Sequence, residues 1–193
     1  MNFTNRLSPA LLAKNANLMN GSGVALGDVD GDGWCDVYFC NLEGKNALFR
    51  NLGNWRFKEV TREAGIEISG QLSRGAVLAD VDGDDDLDLL VTFNAQGLKL
   101  YLNDGRGRFE DSTFAAGLSS RMGSTSVALG DVDGDGLLDV YLCNFGETSI
   151  LRDGGGRALP YGRRASGPGG PVCQPTALDR GEAGGVGRTG HAL

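Results

Sequence analysis

Four carboxylates stand at positions 1, 3, 5 and 9 of the stretch Asp28-Val-Asp30-Gly-Asp32-Gly-Trp-Cys-Asp36, with glycines at positions 4 and 6. The spacing returns as Asp80, Asp82, Asp84 and Asp88, and again as Asp131, Asp133, Asp135 and Asp139. The three stretches begin 52 and 51 residues apart. Calcium is a hard cation that takes six to eight oxygen ligands, and alternate residues of a tight loop supply them. The carboxylates, together with the position-7 backbone carbonyl of Trp34, Asp86 or Leu137, form one candidate calcium site per loop, about three in all. Magnesium fits less well, because it keeps several waters and takes few protein ligands. An EF-hand needs Glu at position 12 and flanking helices. Position 12 here is Phe39, Val91 or Leu142, each inside an apolar run, so the loop joins two strands. The second loop carries Asp85 where the others carry Gly33 and Gly136, and its six acids repel one another without a cation.

The elements that hold these loops recur in the same order. Before each loop comes a short strand, Gly23-Val-Ala-Leu-Gly, Gly75-Ala-Val-Leu-Ala or Ser126-Val-Ala-Leu-Gly, whose small residues suit a crowded inner position. After it comes Asp36-Val-Tyr-Phe-Cys, Asp88-Leu-Leu-Val-Thr or Asp139-Val-Tyr-Leu-Cys, nearly continuous apolar runs of the kind buried on both faces. A third strand, Asn46–Arg50 or Leu98–Leu102, ends in an Asn-x-Gly or Asn-Asp-Gly turn that supplies a positive φ. A fourth, from Trp55 or Arg108 through Phe57 or Phe109, is the most polar and outermost. The fold class is therefore all-β, built from four-stranded units that must stack on one another to bury both faces. A repeat near 50 residues is in the range of propeller blades.

The expected organisation is the last strand of a preceding blade and a linker over 1–19, blade 1 over 20–70, blade 2 over 71–121 and an incomplete blade 3 over 122–156. Phe3 and Ala10 weakly echo the closing segments Phe57–Ile66 and Phe109–Leu118. Residues 147–153 still resemble a third strand and its turn. Beyond 156 the alternation stops. From Arg152 onward there are 12 Gly, 6 Arg and 4 Pro, and 157–193 is expected to be an irregular, disordered or out-of-frame tail.

The chain has a net charge of −7, but residues 1–151 carry 12 basic against 22 acidic groups. Fourteen of those acids lie in the three loops, so three calcium ions would bring the repeat body near −4. This charge argues against nucleic-acid binding. The four cysteines have no zinc spacing, and Cys40 and Cys143 occupy equivalent strand positions that read as small buried residues. No apolar run is long enough for a membrane span. The first residues are not a signal peptide, although millimolar-calcium sites belong to extracellular or periplasmic surroundings, so the chain reads as a piece of a longer secreted protein. There is no catalytic set: the one His is His191, in the tail, and the clustered carboxylates are assigned as ligands.

The order Gly-Val-Ala-Leu-Gly-Asp-Val-Asp-Gly-Asp-Gly-x-x-Asp-Val-Tyr, then Asn-x-Gly-x-Trp/Arg-x-Phe, resembles FG-GAP/VCBS repeats over residues 20–156. These are the blade repeats of integrin α-chain propellers, and the resemblance is greatest to the group that includes cartilage acidic protein and often carries a UnbV/ASPIC domain. The literal Phe-Gly-Gly-Ala-Pro string is absent. The resemblance implies a calcium-binding β-propeller, usually seven-bladed and extracellular. Three blades are too few to close such a ring, so the chain is expected to be a partial propeller that needs the missing blades. The expected function is a non-catalytic calcium-binding module that presents a surface to a protein or glycan ligand. The alternatives are a piece with no independent function and, least favoured, a propeller-based enzyme such as a lyase.

Overall fold

The computed structural model describes residues 1–14, 18–19, 21–94, 96–119, 123–144 and 173–177. The acidic stretches are polar and rich in glycine, so the chain turns there and the apolar runs on either side pair back on each other. In blade 1, β1 (Val24–Gly27), β2 (Asp36–Phe39), β3 (Ala47–Asn51) and β4 (Phe57–Glu59) form an antiparallel sheet in sequence order. Blade 2 repeats the plan with β5 (Ser73–Ala79), β6 (Asp88–Phe93), β7 (Gly97–Asn103) and β8 (Phe109–Asp111). Blade 3 contains β9 (Ser124–Gly130) and β10 (Asp139–Asn144). Each calcium-type loop joins the first two strands of its blade, with Gly27 opposite Asp36, Ala79 opposite Asp88 and Gly130 opposite Asp139. The first strands β1, β5 and β9 neighbour one another from blade to blade, which puts them on the inner side.

Strand parity decides what each blade packs against. Side chains alternate across a strand. Tyr38 and Cys40 face blade 2, where they meet Leu89, Val91 and Phe93 in one apolar cluster. Leu90, one residue out of phase, joins Val140 and Leu142 of blade 3 in a second cluster. The middle strand β6 is thus buried on both faces throughout. Strands β2 and β10 are not: Val37, Phe39 and Tyr141 are only partly buried, because among the described residues no blade lies on that side. The same parity corrects the expectation for the cysteines. Cys40 is buried against blade 2, whereas Cys143 points to the uncovered side of blade 3 and is exposed.

Blades are fastened by backbone as well as by side chains. Gly23 N donates to Arg74 O at 2.8 Å, Ser73 N to Asn41 O at 3.2 Å and Phe109 N to Ala64 O at 2.9 Å. A Cβ at Gly23 would lie 3.0 Å from the Gly75 Cα of blade 2, and one at Gly75 would lie 3.3 Å from the Thr125 O of blade 3, so each close approach of inner strands relies on a glycine. The buried Asn46 ties three segments together. Its Oδ1 accepts from Asn41 N at 2.8 Å, and its Nδ2 donates to Tyr38 Oη at 2.9 Å and to Ser73 Oγ of blade 2 at 2.8 Å.

The ends differ from expectation. Phe3 forms no strand. Its ring stacks on Phe39 at 4.7 Å, and Ser8-Pro9 starts a short helix, α1 (Pro9–Lys14), where the repeats have a turn. Ser8 Oγ accepts from Leu11 N at 3.2 Å, the usual N-cap arrangement, with Pro9 as the first helical residue. Residues 147–153 and most of the tail lie outside the described residues. Five tail residues do form a strand, β11 (Cys173–Ala177), which pairs antiparallel with β10 in the place that β3 and β7 take in their sheets. That pairing satisfies the polar edge of β10. The fourth strands begin at Phe57 and Phe109, not at Trp55 and Arg108. Trp55 instead sits in the preceding turn with φ 59° and is 91% exposed. Its counterpart in blade 2 is Gly107, with φ 73°.

Two substitutions probe this frame in opposite directions. Asn46→Leu strands the Asn41 N–H and the Tyr38 hydroxyl in the core, and is expected to cost about 2–4 kcal/mol in urea unfolding. Trp55→Gly removes left-handed strain at an exposed site and is expected to stabilise by roughly 0.5–1 kcal/mol, read as a higher urea midpoint at unchanged slope.

Candidate metal centres

The three loops fold alike because their first aspartate binds loop amides. Asp28 accepts from Asp32 N at 3.2 Å and from Gly33 N at 2.7 Å. Asp80 accepts from Gly83 N at 2.5 Å and Asp85 N at 3.2 Å, and Asp131 from Gly134 N at 2.8 Å and Gly136 N at 3.0 Å. Position 5 closes the next turn, with Asp32, Asp84 and Asp135 accepting from the N–H of Trp34, Asp86 and Leu137. Positions 4 and 6 are left-handed throughout. Asp85 adopts φ 71° beside the 84° of Gly33 and Gly136, so its side chain does not prevent the turn.

Position 9 does more than the spacing indicates. Asp36 is wholly buried, and its two oxygens accept from Val29 N at 3.1 Å and Asn51 N at 2.7 Å. Asp88 accepts from Val81 N at 3.0 Å and Asn103 N at 2.9 Å, and Asp139 from Val132 N at 2.9 Å. The carboxylate therefore clamps the start of the loop to the end of the third strand. Burial raises the pKa of both Asp36 and Asp88 above the usual carboxylate value, and that of Asp88 reaches about 6, even though the backbone donors pull the other way.

Three carboxylate oxygens converge within 4.8 Å of one another in each loop. They come from Asp28, Asp30 and Asp32 in loop 1, from Asp80, Asp82 and Asp88 in loop 2, and from Asp131, Asp133 and Asp139 in loop 3. Asp36, Asp84 and Asp135 stand outside these groups, and Trp34, Asp86 and Leu137 occupy position 7 beside them. The residues fit a calcium ion on one observation in particular. Asp30 Oδ1 and Asp82 Oδ1, both at position 3, are buried with no hydrogen-bond partner. A buried unpaired carboxylate oxygen is costly and calls for a cation or donor. Burial raises the pKa of Asp30 and of Asp82, and the neighbouring Asp32 and Asp84 push the same way. At Asp30, Arg50 opposes that rise.

Three contributors were not legible as site residues. Asn103 Nδ2 donates to Val29 O of blade 1 at 2.8 Å and to Leu87 O at 3.1 Å, linking loop 1 to loop 2. Its repeat partner Asn51 donates to Cys35 O at 3.1 Å. The Asn at each strand end is visible in the sequence as a turn former, but its reach to the loops is not. The third is Arg50, whose Nε forms an ion pair with Asp30 and whose Nη2 lies 3.4 Å from Asp32 Oδ2. The one sequence sign of it is that blade 2 has Leu102 there.

The clamp and the candidate ligands separate by mutation. In chelator, Asp36→Asn sets an amide donor against a backbone donor and is expected to cost about 1–3 kcal/mol. A second expectation concerns pH. The folded value of Asp88, about 6, lies above its unfolded value, so the folded state holds this proton more tightly. Its contribution to metal-free stability falls as pH rises from about 4 to about 6 and is flat above. The melting temperature of the wild type minus that of Asp88→Asn should therefore increase when chelated protein is taken from pH 7 to pH 4.5. A constant difference would contradict the assignment.

Comparison with known proteins agrees with this architecture. The sequence model of the FG-GAP-like repeat matches residues 28–91 and 80–142, each match running from one acidic loop through the strand after the next. Cartilage acidic protein 1 of Mus musculus is 31% identical over 127 residues, covering 64% of this chain and 20% of the relative. The Xenopus tropicalis protein of that name is 32% identical over 129 residues, with 64% and 20% covered, and the human one 29% over 127 residues, with 64% and 19% covered. The chain thus spans about a fifth of the length of these relatives. With the family match spanning three consecutive loops and the strands between them, this chain belongs to the FG-GAP-like repeat family.

Proposed function

We propose that this chain is a non-catalytic, calcium-braced repeat module, with one ion in each of the three acidic loops. The buried, unpaired oxygens of Asp30 and Asp82 at equivalent loop positions carry the proposal. In this reading Asp28, Asp30, Asp32 and the Trp34 carbonyl hold the first ion. Asp80, Asp82, Asp84, Asp88 and the Asp86 carbonyl hold the second, and Asp131, Asp133, Asp135, Asp139 and the Leu137 carbonyl the third. Asp36 serves chiefly as the clamp of its loop. The ion supplies positive charge that offsets carboxylate repulsion and fixes the turn between the first two strands.

The module acts outside the cell or in a periplasm, where millimolar calcium fills such sites, and its ligand is a protein or a glycan. No helix among the described residues is long and apolar enough to cross a membrane. The described residues offer no nucleophile–base pair that would support an enzyme reading. A further blade is expected on the uncovered face of blade 1, where Val24 and Leu26 are exposed. The corresponding Ala76 and Leu78 of blade 2 pack against the cluster shared with blade 1, which supports that reading.

Thermal unfolding in calcium, magnesium and chelator tests the ion assignment. Calcium well above its dissociation constant should add about 2–4 kcal/mol and raise the melting temperature by several degrees, with magnesium doing much less. Asp30→Asn and Asp82→Asn should each remove part of the calcium response, while Lys58→Ala should keep it whole. An unchanged melting temperature in millimolar calcium would overturn the proposal.

A further inference from the structure

Loop 1 differs from loop 2 in one respect that bears on its ion. Arg50, the penultimate residue of β3, reaches across to it and forms an ion pair with Asp30, while its Nη2 lies 3.4 Å from Asp32 Oδ2. The Asp30 side chain is only 4% exposed, so this guanidinium is the nearest cation to a buried carboxylate. In blade 2 the register Asn51–Phe57 corresponds to Asn103–Phe109, which puts Leu102 where blade 1 has Arg50. Leu102 packs into the apolar cluster shared with blade 3 and brings no charge to loop 2. The converging oxygens differ accordingly. Loop 1 gathers position 5, the residue that Arg50 touches, whereas loops 2 and 3 gather position 9.

Resting on the calcium reading above, we infer that Arg50 is a tethered counter-cation that occupies the first site in competition with calcium, making it weaker than the second. A guanidinium presents five donors to carboxylate lone pairs, and those on Asp30 and Asp32 are the ones a calcium ion would take. Calcium therefore binds loop 1 only as Arg50 leaves. There is room for that movement. A cleft of about 350 Å³ between blades 1 and 2 opens beside Arg50, with Glu63, Ala64 and Gly107 on its walls together with two further cations, Arg106 and Arg108. Glu63 is already exposed and paired with Lys58, so it offers the departing guanidinium a carboxylate in the same cleft.

The chain reports on this site by itself. Its two tryptophans both lie in blade 1, and Trp34 is position 7 of loop 1. In full-length protein carrying Trp55→Phe, Trp34 fluorescence is followed through a calcium titration, with calorimetry of the same samples counting all ions bound. Arg50→Leu should lower the half-saturating calcium of the Trp34 signal about fivefold or more, fivefold being the scale of one unit charge at contact in water. Arg50→Lys, which keeps the charge, should stay near the starting protein. In chelator Arg50→Leu should melt below the starting protein, and in saturating calcium the gap should close or reverse. A purely structural arginine would leave the same gap in both. An Arg50→Leu titration that is unchanged or weaker overturns the inference. So does a Trp34 signal indifferent to calcium while calorimetry still shows binding, an outcome that leaves loops 2 and 3 as sites. Absence of any binding heat in both proteins overturns the inference together with the calcium reading.

Discussion

A buried carboxylate that accepts two backbone N–H groups is the constraint on which the rest of each inner blade depends. Asp36 and Asp88 each hold the second residue of an acidic loop and the last residue of the third strand. Charge-assisted bonds of this kind are stronger than neutral ones, and here they offset the burial of a full charge. The clamp adds to the bonds that the position-1 carboxylate makes within the loop, and so returns a glycine-rich acidic turn in register. With it, the first and third strands are indexed to the same atom, and the second strand is paired between them. The convergence of three carboxylate oxygens in each loop, from positions 1, 3 and 5 in loop 1 and from positions 1, 3 and 9 in loops 2 and 3, accompanies that closure.

The clamp also explains why an acidic sequence packs as an apolar stack. Once the loops are closed, parity along the second strand sends alternate side chains to the preceding and following blades. Leu89 and Leu90 are neighbours in sequence, yet each is fully buried in a different interface. Asn46, Gly23 and the Phe109 amide then fix the angle at which one sheet meets the next. Carboxylates concentrate in the loops, while a buried guanidinium, that of Arg74, crosses between blades 1 and 2 to the Gly21 carbonyl at 3.4 Å.

Much of this was legible in the residues. The loop register, the four-strand unit and the inner position of the first strand all followed from the three-fold recurrence of the same letters, because repetition averages out the ambiguity of any single short run. What escaped was whatever depends on a neighbour. Cys143 has the same repeat position as Cys40, but only the latter has a blade on its side. Phe3 looked like a closing strand, yet with no partner to pair with it found Phe39 instead. The double role of position 9 was hidden because a clamp and a ligand call for the same carboxylate. Arg50 was hidden because a lone basic residue at a strand end ordinarily reads as a solvated side chain.

The Asn103 bridge has a directional consequence. Its amide belongs to blade 2, but it secures the Val29 carbonyl in the loop of blade 1. The hairpin that follows it also lays Gly107 against Asp30. The loop of blade 1 is therefore finished by its successor, and the array has polarity. A lesion in the β7–β8 hairpin is felt upstream, at an acidic loop whose own residues are intact, while the converse lesion in loop 1 leaves that hairpin's internal bonds alone. Between these two blades the earlier one is locked by the later.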